Sequence, residues 1–186
     1  MSSHLHPVLP WAVRRTRLPL LALRCVDCPS GHAAVGDGRF RVNANGKLLD
    51  VWLLVNCAAC GRTGKLTVHD RVQVGALRAD LLAGYTTNSP SLVTDTLLDP
   101  SIARRNRFAL DWDGCWELDA SPVPDDPWPV RVAVVFEDPV PVRPERLIAR
   151  GLGLSRSEIA RRVKIEIPLN RRTRHDFSFV LVCPAG

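Results

Sequence analysis

Arg39-Phe40-Arg41-Val42-Asn43-Ala44-Asn45-Gly46-Lys47-Leu48-Leu49-Asp50-Val51-Trp52-Leu53-Leu54-Val55-Asn56-Cys57-Ala58-Ala59-Cys60-Gly61 is the stretch that decides the fold. Arg39 to Asn43 alternates polar and apolar residues, Asn45-Gly46 is a strong two-residue hairpin signal, and Leu49 to Val55 returns as a second strand. That returning strand delivers Cys57 into a Cys-x-x-Cys-Gly knuckle, where Gly61 lets backbone amides turn toward sulfur. Lys65-Leu66-Thr67-Val68-His69 alternates again and predicts a third strand of a small antiparallel sheet.

Upstream, Cys25-Val26-Asp27-Cys28 is a second Cys-x-x-Cys turn. Two such turns supply Cys25, Cys28, Cys57 and Cys60, the donor set of a closed tetrahedral zinc site with no position left for water or substrate. The expected metal is therefore a structural Zn2+ ion stapling the open end of the sheet. A thioredoxin-like dithiol needs its motif to open a helix, and neither motif is followed by a helical pattern. With four thiolates in place, His32 and His69 are not needed as ligands. Cys115 and Cys183 have no Cys-x-x-Cys partner and read as buried, inert thiols.

Beyond the ribbon the pattern turns helical. Gly75 to Tyr85 predicts one helix, and Ser89-Pro90 and Asp99-Pro100 each place a capping side chain before a proline at the first helical position. Residues 120–129 are a proline-rich connector. After it, Val130 to Phe136 reads as a strand, Pro144 opens a helix stopped at Gly151, and Ser155-Arg156-Ser157-Glu158 is a capping box for a second helix through Lys164. On that helix Ile159, Ala160 and Val163 share one side, and Ser157, Arg161 and Lys164 share another. The expected class is α+β. An antiparallel zinc-ribbon-like sheet with a helical layer occupies residues 1–119, the connector residues 120–129, and a small basic α+β module with a helix pair residues 130–186.

The charge is segregated. Residues 1–140 hold 15 basic and 15 acidic side chains and residues 141–186 hold 10 and 4, so the whole net charge of +6 lies in the last quarter of the 186-residue chain. Such a segment is the footprint of an anion-binding face, and nucleic acid is the commonest large anion in a cytoplasm. The sequence has no apolar run of transmembrane length, and Leu18 to Leu23 is too short and proline-broken for a signal peptide, so a soluble, cytoplasmic protein without a membrane partner is expected. Reduced thiols for zinc agree with that compartment.

Pro144 to Ala160, with Leu154-Ser155-Arg156-Ser157 at its centre, resembles the αL RNA-binding motif of ribosomal small-subunit protein four, tyrosyl-tRNA synthetases and pseudouridine synthases. The resemblance implies RNA-backbone contact from Ser155, Arg156, Ser157 and Arg161, with Lys164 on the same basic flank. The glycine-led strand that follows in that motif is replaced here by Lys164-Ile165-Glu166-Ile167-Pro168-Leu169. The two cysteine knuckles around Arg39 to Ala44 and Leu49 to Leu53 resemble a bacterial family catalogued as domain of unknown function 1062, which implies zinc and this architecture but no reaction. The functional expectation is a zinc-binding RNA-binding accessory factor acting on structured ribosomal or transfer RNA. The alternative is a protein-interaction adaptor presenting Trp52, Trp112, Trp116 and Trp128. Paired carboxylates, a nucleophile with a histidine partner and a phosphate loop are not evident, so the enzyme reading ranks third.

Overall fold

The computed structural model describes residues 8–124 and 128–183. In chain order the strands are β1 Val8–Arg15, β2 Leu20–Ala22, β3 His32–Ala34, β4 Phe40–Asn45, β5 Leu48–Cys57 and β6 Thr63–Gln73, then β7 Ala109–Asp111, β8 Trp116–Ala120, β9 Val130–Phe136, β10 Val163–Ile165 and β11 Phe177–Leu181. The helices are α1 Ala79–Thr87, α2 Pro90–Leu98, α3 Pro100–Asn106, α4 Pro144–Leu152 and α5 Arg156–Arg162. The class is α+β, with two mainly antiparallel sheets.

The chain divides where the local pattern does not announce it. One compact unit is Leu18–Asp111, and the other combines the chain up to Arg17 with the chain from Trp112 onward. This corrects the expected division at residues 120–129, because β8 and β9 on either side of that stretch both pair with β1. Prolines interrupt a strand, but they do not separate two strands whose common partner comes from the other end of the sequence. Residues 125–127 of the expected connector lie outside the described residues.

In the Leu18–Asp111 unit, β5 is the central strand. It pairs with β6 along one edge, leaving β4 and then β3 to share the other. Leu49, Val51, Leu53 and Val55 alternate inward and are sealed by Tyr85, Val93, Leu97 and Ile102 from the three helices, so the sheet has one covered and one open face. The β4–β5 turn is one residue out from the expected register: Asn45 pairs with Leu48, so Gly46-Lys47 is the loop and only Gly46 has positive φ, +61°. Pro90 and Pro100 do start helices, and Asp99 Oδ1 accepts from Ser101 N–H at 2.7 Å. The first helix starts at Ala79 instead of Gly75, after a short 3-10 turn at Val74–Ala76.

Asn106, at the end of α3, fixes that helix to the outer edge of β6. Its Oδ1 accepts from Thr67 N–H at 2.7 Å and its Nδ2 donates to Thr67 O at 3.0 Å, so the side-chain amide acts as one residue of an extra strand. Asn106→Ala is expected to cost about 1–2 kcal/mol, since two backbone groups lose partners that water replaces only in part. Faster hydrogen exchange at the Thr67 amide, ahead of its β6 neighbours, is the signature to measure.

The other unit is a five-stranded sheet of order β10-β11-β9-β1-β8, with β1 parallel to β9 and the remaining pairs antiparallel. Trp11 lies edge-on to Phe179 at 5.4 Å, and Leu147, Ile148 and Ile159 of the helix pair are fully buried. Helix α4 runs past Gly151 and stops at Gly153, which takes the left-handed cap. Gly151 serves another purpose: a Cβ there would stand 2.4 Å from the Trp11 indole. Helix α5 likewise ends at Arg162, before Lys164, which sits in β10 opposite Val180. The expected Ile159, Ala160 and Val163 side is narrower than its helical spacing implies, because Ala160 is exposed.

Candidate functional site

Two hairpin ends meet at the cysteines. Cys25 and Cys28 lie on the turn between β2 and β3, and Cys57 and Cys60 on the turn between β5 and β6. The pairing of Ala33 with Cys57 sets these turns side by side. The contact therefore comes from a short β2–β3 hairpin that the sequence does not announce, since strands of three residues are too short to show alternation. All four sulfurs lie within 4.8 Å of one another, with Cys25 Sγ to Cys60 Sγ at 3.7 Å and Cys28 Sγ to Cys57 Sγ at 3.5 Å. Disulfides, with sulfurs about 2.05 Å apart, are excluded at these separations. Four cysteine sulfurs at this spacing could hold a metal ion.

The backbone is already arranged for anionic sulfur. Asp27 N–H points to Cys25 Sγ at 3.4 Å, and the Cys57 thiol is lowered to about 6 because the amides of Cys60 and Ala59 donate to it, burial notwithstanding. At Cys28 the Ser30 amide pulls downward, but sharing with Cys57, burial and the other two thiols push it up to about 12. Cys60 feels the Arg62 amide and Cys28 pulling it down, yet ends raised through Cys57, burial and Cys25. The Cys28, Cys57 and Cys60 thiols are thus coupled through shared hydrogen bonds, and a bound cation would take the place of their protons. Gly61, at φ +72°, makes the turn that returns its amide to Cys57 O at 3.0 Å. The Arg62 guanidinium pairs with the Asp27 carboxylate and so ties one knuckle to the other.

Helices α4 and α5 carry the other predicted residues. Ser155 is spent on the capping box: its Oγ donates to Glu158 Oε2 at 2.6 Å and accepts from Glu158 N–H, while its own N–H reaches Glu158 Oε2 at 2.8 Å. Ser157 Oγ is 3.1 Å from Ser155 Oγ. Arg156 Nε pairs with Glu145 Oε1 at 2.7 Å, bridging the two helices. Arg161 and Lys164 are both exposed, the first on the last turn of α5 and the second on β10.

The remaining polar candidates are dispersed. His32 Nε2 is 3.3 Å from Asp111 Oδ2, and His69 Nε2 is 2.9 Å from the buried Tyr85 hydroxyl, with its pKa lowered by burial and then by Arg105. Cys115 is buried, but Cys183 is exposed, contrary to expectation, because the chain leaves β11 two residues before it. Of the adaptor tryptophans, Trp112 and Trp116 are buried and Trp52 and Trp128 half-buried. Among the described residues no helix is long and apolar enough to cross a membrane.

A family model described as "Protein of unknown function (DUF1062)" matches residues 42–170, about two thirds of the chain, and the chain belongs to that family. The match takes in Cys57, Cys60 and the helix pair, and begins after Cys25 and Cys28. No curated protein and no solved structure gives a significant match.

Proposed function

We propose that the chain is a zinc-structured RNA-binding accessory protein, in which the four thiolates hold Zn2+ as a closed structural site and the α4–α5 side of the second unit contacts RNA backbone. The observation that supports zinc is the sulfur geometry. Tetrahedral zinc with Zn–S near 2.3 Å separates its sulfurs by about 3.8 Å, close to the 3.5 and 3.7 Å seen between opposite knuckles. An S4 tetrahedron also accepts iron, so elemental analysis and the visible spectrum decide the metal.

RNA is supported by an excess of exposed positive charge. Nine basic residues from 141 onward are exposed, among them Arg143, Arg150, Arg161 and Lys164, while Arg146 pairs with Asp113 at 2.9 Å and Arg156 with Glu145. Of the four acids in that segment, Glu145 is committed to Arg156, Glu158 to the cap, and Asp176 to the Phe136 amide. Since Arg156 and Ser155 are already engaged, Arg161 and Lys164 make the first phosphate contacts, and Arg156 joins by leaving Glu145. The adaptor alternative is weakened by the burial of Trp112 and Trp116.

Arg161→Ala with Lys164→Ala is expected to weaken binding of a structured RNA and to flatten its log–log salt slope by roughly 0.7 to 0.9 for each phosphate left unneutralised, with metal content unchanged. Unchanged affinity and slope would remove these residues from the site. A partner captured equally well at low and high salt would favour the adaptor.

A further inference from the structure

The open face of the β4–β5–β6 sheet has a composition that core packing does not require. Because Leu49, Val51, Leu53 and Val55 point into the core, their neighbours Asp50, Trp52, Leu54 and Asn56 point out. Strand register then sets two cross-strand rows on that face. Trp52 lies between Arg41 on β4 and Thr67 on β6, and Leu54 lies between Arg39, whose carbonyl accepts from Leu54 N–H at 2.9 Å, and Lys65. Lys65 Nζ rests 5.1 Å from the centre of the Trp52 ring, so one face of the half-buried indole is in contact with a mobile cation and not with core side chains.

Acidic groups on this face are few and engaged. Asp50 Oδ1 accepts from Arg71 N–H at 2.8 Å, and Asp37 forms only an exposed 3.6 Å pair with Arg39. Beside Leu54, a hollow of about 260 Å³ opens between the Gly36–Arg39 loop and Asn56 and Thr63. Leu54 gives it one apolar wall, and Asp37, Arg39 and the hydrogen-bonded Asn56 and Thr63 side chains give it a polar rim.

We propose that this face is a stacking platform for single-stranded nucleic acid, with Trp52 receiving a nucleobase, the hollow beside Leu54 its neighbour, and Arg39, Arg41 and Lys65 the phosphates. A half-buried indole in the middle of a cationic sheet offers what every base has, a π-face, and what every backbone seeks, positive charge. An exposed lysine on a ring is a weaker contact than a stacked base, so the base displaces Lys65, which moves to phosphate. Neighbouring strands lie about 4.8 Å apart, so β4 and β6 flank Trp52 across about 10 Å, room for one base on the ring and backbone reaching the cations at its sides. The face belongs to the Leu18–Asp111 unit, whereas Arg161 and Lys164 belong to the other, so failure of one site is distinguishable from failure of the other.

The test is fluorescence anisotropy with labelled oligouridine, oligothymidine and an RNA duplex, at several salt concentrations, on the full chain. Trp52→Ala is expected to weaken single-strand binding about tenfold, the stacking of one base, with Trp52→Phe retaining most of the affinity. Arg41→Glu with Lys65→Glu, which alters only side chains at the open face, should weaken it further and lower the salt slope by roughly 0.7 for each phosphate left unneutralised. Adding Trp52→Ala to a chain that carries Arg161→Ala and Lys164→Ala should weaken oligouridine binding by the same factor as it does in wild type. The proposal is overturned if wild type binds neither single strand at low salt, if the duplex competes equally and ignores Trp52, or if both the Trp52→Ala and charge-reversed chains, with full metal content, bind as wild type does.

Discussion

Cys57→Ser is expected to abolish stoichiometric metal binding and to destabilise the Leu18–Asp111 unit by on the order of 5 kcal/mol, part of the about 10–16 kcal/mol that structural zinc supplies in small zinc-finger peptides. The full amount is not lost, because this unit has an apolar core of its own, with Leu21, Val51, Leu53, Leu66 and Leu97 fully buried away from the sulfurs. At about 4–8 °C per kcal/mol for a unit of this size, the melting temperature should fall by roughly 20 °C or more. Cys57 is the most damaging of the four to replace: it is the buried one, it ends the central strand, and its sulfur receives the Cys60 and Ala59 amides. Hydrogen exchange should quicken first at the Cys57 amide, which closes the β5–β6 turn on Arg62 O, and at the Ala58 amide, which joins the two hairpin ends through His32 O. Chelation of the wild-type chain should reproduce these effects, and Cys183→Ser, at an exposed thiol outside the cluster, should reproduce none of them. A Cys57→Ser chain that keeps one tightly bound metal per chain and the wild-type melting curve would rule out the four-cysteine site.

What the sequence made legible were features encoded over a few neighbouring residues. The β4–β5 hairpin, the strand at Val130, the proline-led starts of α2 and α3 and the Ser155 capping box each depend on a turn, an alternation or a cap that local chemistry dictates. The four cysteines were legible for the same reason, since a Cys-x-x-Cys turn brings two sulfurs together by itself. Hidden from the sequence was everything set by partners far along the chain. β1 pairs with β8 and β9 more than a hundred residues later, and this one strand moves the unit boundary from the proline-rich stretch to Arg17 and Asp111. Arg156 and Ser155 carried the RNA expectation, yet Glu145 and Glu158 hold them, a competition visible only once α4 and α5 face each other. Gly151 is the clearest case. In sequence it sits where a helix stop belongs, and only the fold shows that the space of its missing side chain is filled by an indole.

That close approach carries the second large effect. Gly151→Ala places a methyl group 2.4 Å from Trp11 Cη2, with Cζ3 at 2.6 Å and Cζ2 at 2.9 Å, all inside the closest approach of real carbons. Neither side yields easily. Trp11 is 1% exposed, its Nε1 donates to Ser121 O at 3.3 Å, and its ring lies edge-on to Phe179, while α4 is anchored by fully buried Leu147 and Ile148. Alanine favours a helix over glycine by about 1 kcal/mol, which alone would make the substitution stabilising. Overpacking of a fixed core costs about 1–3 kcal/mol and occasionally more, and with three ring atoms inside 3.0 Å we expect the upper end, so the net change is a loss of about 2 kcal/mol or more. Trp11→Phe removes the outer ring that carries those three atoms and, by itself, leaves a cavity against α4. Combined, the two changes fill that cavity with the new methyl group, so the double variant should be more stable than the sum of the single losses predicts, by about 1–3 kcal/mol of coupling. Denaturant unfolding of the four chains measures that coupling. Strict additivity would mean that the cost of Gly151→Ala does not come from pressing on Trp11.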